Sequence, residues 1–442
     1  MNRAEFLKLS AATALFPAVL QAQPKNQTGA DNAPPNDNCH YWNKKTRLTI
    51  SMWDMTWLTD SGRGGSWENL EQRVAEAAER RYNCLRVDCF PSRILEKTTS
   101  FRKGYQKAEG QFLPVWGKVT TDVTCNALAK LKELADLCRK HDVYLGLDSW
   151  EKGHMMGQLN SAFGLDNPPI PIQEEEKVFR DFAHTWVKAI RLMREEGILE
   201  RAVWVAPMNE VPHFCSRGLE SIRQINDQEL NEGEVQLDKN QRINERYKLV
   251  NLWMGEEIKD EISREGIPLC YSSLSAEEYA KRLPEIYDVV DVHFMPGVIT
   301  SAEDNKEFAE IAQGQPQNFI GWENMDMKRW SEVWDRACRN NYRQMLIRCR
   351  DYLETALGNC VFPSGKRMQA VITESFGPVF WPDHPDVSWE WYKNYNGDCA
   401  RIAASMPFEG TSLSNFAEPL FTLWDDVDWH RNANFFIRNL KK

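Results

Sequence analysis

The sequence predicts an α/β fold: a closed (β/α)8 TIM barrel of parallel strands with long strand-to-helix loops. Three observations carry that prediction. Eight short apolar runs alternate with helix-patterned segments along the chain, the order that parallel strands with returning helices require. A run such as Ala202 to Met208 is apolar throughout, which is how a strand covered on both faces reads. No Gly-rich fingerprint follows any run, so nothing supports a dinucleotide site in an open, doubly wound sheet.

The length of 442 residues accommodates one such barrel, since these domains start near ~250 residues and exceed ~400 with insertions. Residues 1–22 read as a signal peptide: Arg3 and Lys8 give a positive start, Leu9 to Leu20 is apolar, and the small Ala22 ends a cleavage site, so export to the periplasm or beyond is expected. Residues 23–45 are rich in Asn, Pro, Asp and Gln, too polar to build a core, and read as a disordered linker. The barrel is expected over 46–442.

The elements follow in order. Leu48 to Trp53 is the first strand, and Trp67 to Arg81 a helix with Ser66 as its N-cap. Strand Cys84 to Cys89 precedes helix Asn126 to His141, whose Leu128, Leu131, Leu134, Ala135 and Cys138 fall on one stripe. Strand Val143 to Leu147 precedes helix Glu174 to Glu196, and strand Ala202 to Met208 precedes helix Asn240 to Arg264. Strand Pro268 to Ser272 is followed by a short helix from Ala276, strand Val289 to Phe294 by helix Ser331 to Leu357, and strand Ala370 to Thr373 by helix Ser388 to Ser405. Thr411 to Phe416 is the eighth strand.

Three connections are long: Pro91 to Asp122, Val211 to Lys239 and Met295 to Trp330. All follow strands, so they belong to the barrel face that carries active sites and are expected to wall a pocket. Trp116, Trp322 and Trp330 are expected there as exposed aromatic contacts.

Composition narrows the ligand. The net charge of −10 argues against nucleic acid, because phosphate binding draws on clustered Lys and Arg. No apolar run reaches the ~20 residues of a membrane span. Seventeen Trp residues suit a neutral ligand, and their amphipathic rings stack well on sugar faces. Of the eleven cysteines, Cys84, Cys89, Cys138, Cys270, Cys338 and Cys349 fall in expected strands and helices, where free Cys behaves as a small apolar residue. No Cys or His spacing matches a zinc site, so no metal or other cofactor is expected.

The chemistry concentrates at strand ends. Residues at the C-terminal ends of barrel strands face the reaction space. The fourth strand ends in Asn209 and Glu210, and the seventh in Glu374. A pair of carboxyl groups is what glycosidic bond cleavage uses, one as acid and one as nucleophile or base. Arg86 on the second strand is expected beside Glu374 and His293 at the end of the sixth is expected to orient groups.

In this order the motifs resemble clan A glycoside hydrolases, especially the cellulase-like enzymes of family 5. The resemblance spans Arg47 to the C-terminus and rests on Leu85-Arg86-Val87, Asn209-Glu210, Asp291-Val292-His293 and Ile372-Thr373-Glu374-Ser375-Phe376-Gly377. It implies Glu210 as acid/base, Glu374 as nucleophile, and retention of configuration at a β-glycosidic bond. It further implies roles in the sugar site for Arg86, Asn209 and His293 and for an eighth-strand aromatic, Phe416 or, preferably, Trp424; Trp53, Asp148 and Trp150, at or just beyond strand ends, are expected to bind substrate as well. Three positions depart from the pattern: Val211 follows the Asn-Glu pair where proline is common, Met295 stands where a tyrosine would meet the nucleophile, and Asp148-Ser149-Trp150 replaces a histidine. The alternative is a sugar-binding protein on the same barrel without catalysis.

Overall fold

The computed structural model describes residues 46–105, 118–150, 169–210, 218–227, 234–276, 278–312, 325–378 and 381–440. The leader and linker expectations, and those for Trp116 and Trp322, lie outside the described residues.

Eight strands form one parallel sheet: β1 (Leu48–Asp54), β2 (Cys84–Asp88), β3 (Tyr144–Asp148), β4 (Ala202–Val205), β5 (Cys270–Ser273), β6 (Val289–Val292), β7 (Gln369–Ile372) and β8 (Gly410–Ser412). Each pairs with its neighbours in chain order, and β8 pairs with β1. The remaining seam is closed by a single parallel bridge from Val205 to Leu269, where the Val205 amide donates to Pro268 O at 3.1 Å. Five strands end earlier than expected, β4 at Val205 rather than Met208 and β8 at Ser412 rather than Phe416, while β1, β3 and β5 each run one residue further.

Between the strands run α1 (Leu70–Glu79), α2 (Ala127–Lys140), α3 (Ile172–Glu195), α4 (Glu234–Ile262), α5 (Tyr279–Arg282), α6 (Met327–Gly358) and α7 (Glu390–Ala404), and α8 (Val427–Asn439) follows β8. Asn126, expected as the first residue of α2, is its N-cap, accepting from the Ala129 amide at 2.8 Å. The cap of α1 is Asn69, not Ser66; Ser66 instead donates its amide to Asp60 at 2.9 Å, and Trp67 is left in the loop to pack edge-on against Trp53. Helix α8 has no counterpart in the sequence reading. Asp426 caps it by accepting from the Trp429 amide at 3.1 Å, a standard start signal.

The long connections carry structure of their own. After β2, Thr99–Phe101 pairs antiparallel with Val123–Cys125, and Gly104–Tyr105 with Lys118–Val119. A helix at Glu220–Asp227 follows β4 and another at Ala302–Ala312 follows β6. Trp330 is not an exposed contact: it is buried in α6 against Phe308 and Trp381.

The barrel interior has two layers. At the N-terminal end, Leu48, Ile50, Cys84, Tyr144, Val203, Trp204, Cys270, Val289 and Val371 belong to a separate apolar cluster. Trp204 fits because Gly146 lies opposite; a Cβ there would stand 2.0 Å from the indole Cζ2. Side chains alternate along a strand, so the inward positions two residues on from Cys84, Val289 and Val371 are Arg86, Asp291 and Thr373. The upper layer is therefore polar. The nine described cysteines are unbridged, and all but Cys125 are buried. No helix among the described residues is long and apolar enough to cross a membrane.

Candidate active site

Arg86 is fully buried at the centre of the upper layer and uses its whole guanidinium fork. Nε donates to Asp148 Oδ2 at 2.8 Å and lies 3.3 Å from Asp54 Oδ1; Nη1 donates to Thr373 Oγ1 and Glu374 Oε1, both at 2.8 Å; Nη2 donates to Asn209 Oδ1 at 2.5 Å. Burial opposes its charge, but Asp54, Asp148 and Glu374 together outweigh that and hold it firmly protonated.

Asn209 is fixed from two sides, because its Oδ1 also accepts from Ser272 Oγ at 2.7 Å. Both lone pairs are thus engaged and the amide orientation is set. Its Nδ2 is buried without a partner among the described residues. A buried donor left in this way costs stability unless a ligand or water satisfies it.

Glu210 follows in a left-handed backbone conformation, φ 54°, which a residue with a side chain adopts only under constraint and which clusters at functional sites. Its Oε1 lies 2.8 Å from Nδ1 of His293. The same nitrogen is 3.6 Å from Oε1 of Glu374. Carboxylate oxygens of the two glutamates lie within 4.8 Å of one another. Nε2 of His293 lies 3.1 Å from Asp291 Oδ2 and 3.3 Å from Ser272 Oγ. Burial disfavours an imidazolium here, but Glu374, Asp291 and Glu210 reverse the balance and push His293 up to about 10. Arg86 and a protonated His293 set positive charge against Glu374 and Glu210, an arrangement suited to proton transfer and charge stabilisation.

Two further acids border the cluster. Burial pushes Asp54 up to about 8 against the pull of Arg86, and Asp148 up to about 6 against the same pull. Asp54 also has positive φ, 37°, at a register shift between Met52 and Asp54 in β1. It accepts from Trp150 Nε1 at 3.0 Å, and Asp88 accepts the Trp150 amide at 2.9 Å. These bonds stand the half-buried Trp150 at the rim of the site.

Arg86, Asn209, Glu210, His293, Glu374 and Asp148 therefore come together, with Trp150 beside them. Trp53 and Trp424 do not. Leu48, Ile50 and Met52 alternate with Trp53, whose ring packs outward on Trp67. Trp424 is buried between α1 and α8, stacked on Tyr82 at 5.8 Å, under the Arg80 guanidinium, with Nε1 donating to Glu76 at 2.9 Å. The other aromatic considered, Phe416, packs on Trp389, Tyr392 and Phe421. Met295 touches Asn415, with Sδ 3.0 Å from Nδ2. Missed in the sequence were Asp291, Thr373 and Ser272; the first two are inward partners of residues already singled out, two positions before His293 and one before Glu374.

Comparison with known proteins agrees with this architecture. Residues 50–222 and 268–438 match the family model described as sugar-binding cellulase-like. No curated protein sequence matches the chain significantly. Among solved structures, a candidate glycoside hydrolase from Parabacteroides distasonis ATCC 8503 superposes with TM-score 0.65 at 19% identity, over 90% of this chain and 95% of that one. A family 5 glycoside hydrolase from Prevotella bryantii B14 gives 0.45 at 9% identity over 91% and 100%, and a family 5 mannosidase from Rhizomucor miehei 0.42 at 12% over 89% and 93%. With most of the barrel matched by the family model, the chain belongs to the sugar-binding cellulase-like family.

Proposed function

We propose that this protein is a retaining glycoside hydrolase that cleaves β-glycosidic bonds of a glycan or oligosaccharide by double displacement. The observation that carries the reading is the approach of Glu210 and Glu374 oxygens to within 4.8 Å. Direct attack by a carboxylate goes with a separation of about 5–5.5 Å, whereas an intervening water needs roughly 6.5–9.5 Å.

In the first step Glu374 attacks the anomeric carbon while Glu210 gives its proton to the departing glycosidic oxygen. In the second, Glu210 takes a proton from water, the water oxygen bonds to the same carbon, and Glu374 leaves. Asn209 Nδ2, unpartnered among the described residues, is suited to the sugar 2-hydroxyl, a contact that strengthens in the transition state. Trp150 offers an apolar ring at the rim for a sugar face.

The test uses activated aryl β-glycosides. Glu210→Ala should form the glycosyl-enzyme and turn over slowly, with azide rescue giving a β-glycosyl azide. Glu374→Ala should lose the first step, with azide rescue giving an α-glycosyl azide. The family description as sugar-binding favours a second reading, recognition without turnover; binding of a glycan with no hydrolysis across a broad panel would select it. Export follows from the Arg3 to Ala22 pattern and predicts a mature N-terminus just after Ala22 by mass spectrometry of the secreted protein.

A further inference from the structure

The inference rests on the reading of Glu210 and Glu374 as the reacting pair. We propose that Asp291 is a positioning residue that clamps the far nitrogen of His293, so that the near nitrogen presents a fixed N–H to both glutamates.

Asp291 and His293 lie two residues apart at the inward end of β6, which puts both side chains on one face. The Asp291 carboxylate is fully buried and has three donors around it. Oδ2 accepts from His293 Nε2 at 3.1 Å and from Thr373 Oγ1 at 2.5 Å; Oδ1 accepts from the Thr373 amide at 3.0 Å. Burial favours its neutral form, but His293, Arg86 and the Thr373 hydroxyl hold it below the usual carboxylate range. Thr373 directly precedes Glu374. The same carboxylate therefore fixes the histidine that faces Glu210 and the backbone that delivers Glu374.

The groups facing His293 are few. Glu210 beyond β4 and Glu374 beyond β7 meet Nδ1; Asp291 on its own strand and Ser272 on β5 meet Nε2. Arg86 on β2, Asp148 on β3 and Asp54 on β1 stand behind Glu374 and Asn209. An imidazole carrying protons on both nitrogens donates in both directions, and here each nitrogen faces a carboxylate. Once Glu210 has given its proton to the leaving group, the Nδ1–H stabilises the charge left behind, a preorganised donor of the kind that accelerates acyl and glycosyl chemistry. Glu374 accepts from Arg86, and the same Nδ1 lies 3.6 Å from its Oε1.

The experiment is nitrogen-15 NMR of the histidine rings, with His293 assigned by the signals lost in His293→Gln. At pH 8 the wild-type ring should have both nitrogens protonated. In Asp291→Asn its titration should move down by about two units, since an anion within ~4–6 Å shifts a neighbour by one to three. On a substrate that the enzyme cleaves, kcat/KM of Asp291→Asn should fall about tenfold at pH 9 and recover as pH is lowered toward 7, whereas a merely structural loss would be equal at every pH. A neutral single tautomer in the wild type at pH 8, or an unchanged His293 titration in Asp291→Asn, overturns the proposal. The wild-type spectrum decides even if the variant fails to fold. It also decides without any substrate, so failure of the hydrolase reading is seen separately, as absent turnover.

Discussion

Oε1 of Glu374 lies 2.8 Å from Nη1 of Arg86 and 3.6 Å from Nδ1 of His293, so two buried cations converge on one carboxylate oxygen. That arrangement holds the oxygen in a fixed place, while Oε2 has no hydrogen-bond partner among the described residues. It also makes Arg86 the hub on which the polar half of the barrel depends.

Arg86→Met should therefore destabilise the fold as well as abolish turnover. Removing one partner of a buried ion pair typically costs about 3–5 kcal/mol, because the charges left behind are uncompensated, and Arg86 faces Asp54, Asp148 and Glu374 together. Urea denaturation of the two proteins measures the loss. Arg86→Lys keeps the charge but cannot reach Asp148, Glu374 and Asn209 at once; its kcat should fall at least about a hundredfold. Wild-type stability in Arg86→Met would contradict the network.

Asn209→Ala should separate substrates by one hydroxyl. If Nδ2 serves the 2-hydroxyl, kcat/KM falls on the order of a hundredfold for the parent glycoside, about 2.7 kcal/mol, and little for its 2-deoxy analogue. Equal losses on both substrates would assign Asn209 to holding Arg86 and Ser272 alone.

How far the sequence reached is visible in particular residues. Glu210, Glu374, Arg86 and His293 were legible because each stands at or near the inward end of an apolar run, where barrel geometry leaves little choice of direction. Trp53 and Asp54 could both have been placed by the same rule, since strict alternation from Leu48 turns Trp53 outward and Asp54 inward, where it meets Arg86. Trp424 was beyond reach, as an indole after the last strand packs equally well on a sugar or between α1 and α8, and its Glu76 and Tyr82 partners are more than three hundred residues away in the chain. Helix α8 was hidden by its Asn, His and aromatic residues, weak helix formers whose helix is stabilised by burying Ala433, Asn434 and Ile437.

Gly146→Ala should be severe for a residue with an ordinary backbone. Its added methyl would meet the Trp204 ring at 2.0 Å, and overpacking of this kind costs about 1–3 kcal/mol or more. Trp204→Leu in the same chain should recover part of the loss, leaving a coupling energy that a double-mutant cycle in denaturant reads directly. Additive effects would place the two side chains out of contact.

His430 predicts acid lability. Its Nδ1 lies 2.7 Å from the Tyr82 hydroxyl and its Nε2 3.0 Å from Leu423 O, and burial pushes it down to about 3. The unfolded chain, with a histidine near ~6.5, then binds more protons than the folded one between these values. Stability from this group is complete above pH 6.5 and is lost as pH falls toward 3, at up to about 1.4 kcal/mol per unit. His293 has the opposite sign: raised to about 10, it contributes fully below ~6.5 and loses that contribution as pH rises through 10. His430→Gln should flatten the acid limb of stability against pH and His293→Gln the alkaline limb. Unchanged limbs would contradict the assignments.

The most direct measurement is the configuration of the sugar at the moment of release. Proton NMR of the wild-type enzyme acting on an aryl β-glycoside or a β-linked oligosaccharide reads the anomeric signal before mutarotation. With Glu210 and Glu374 oxygens within 4.8 Å, attack by the carboxylate itself predicts the β-anomer as first product. Appearance of the α-anomer first would mean that water attacks directly, and would contradict the double-displacement account.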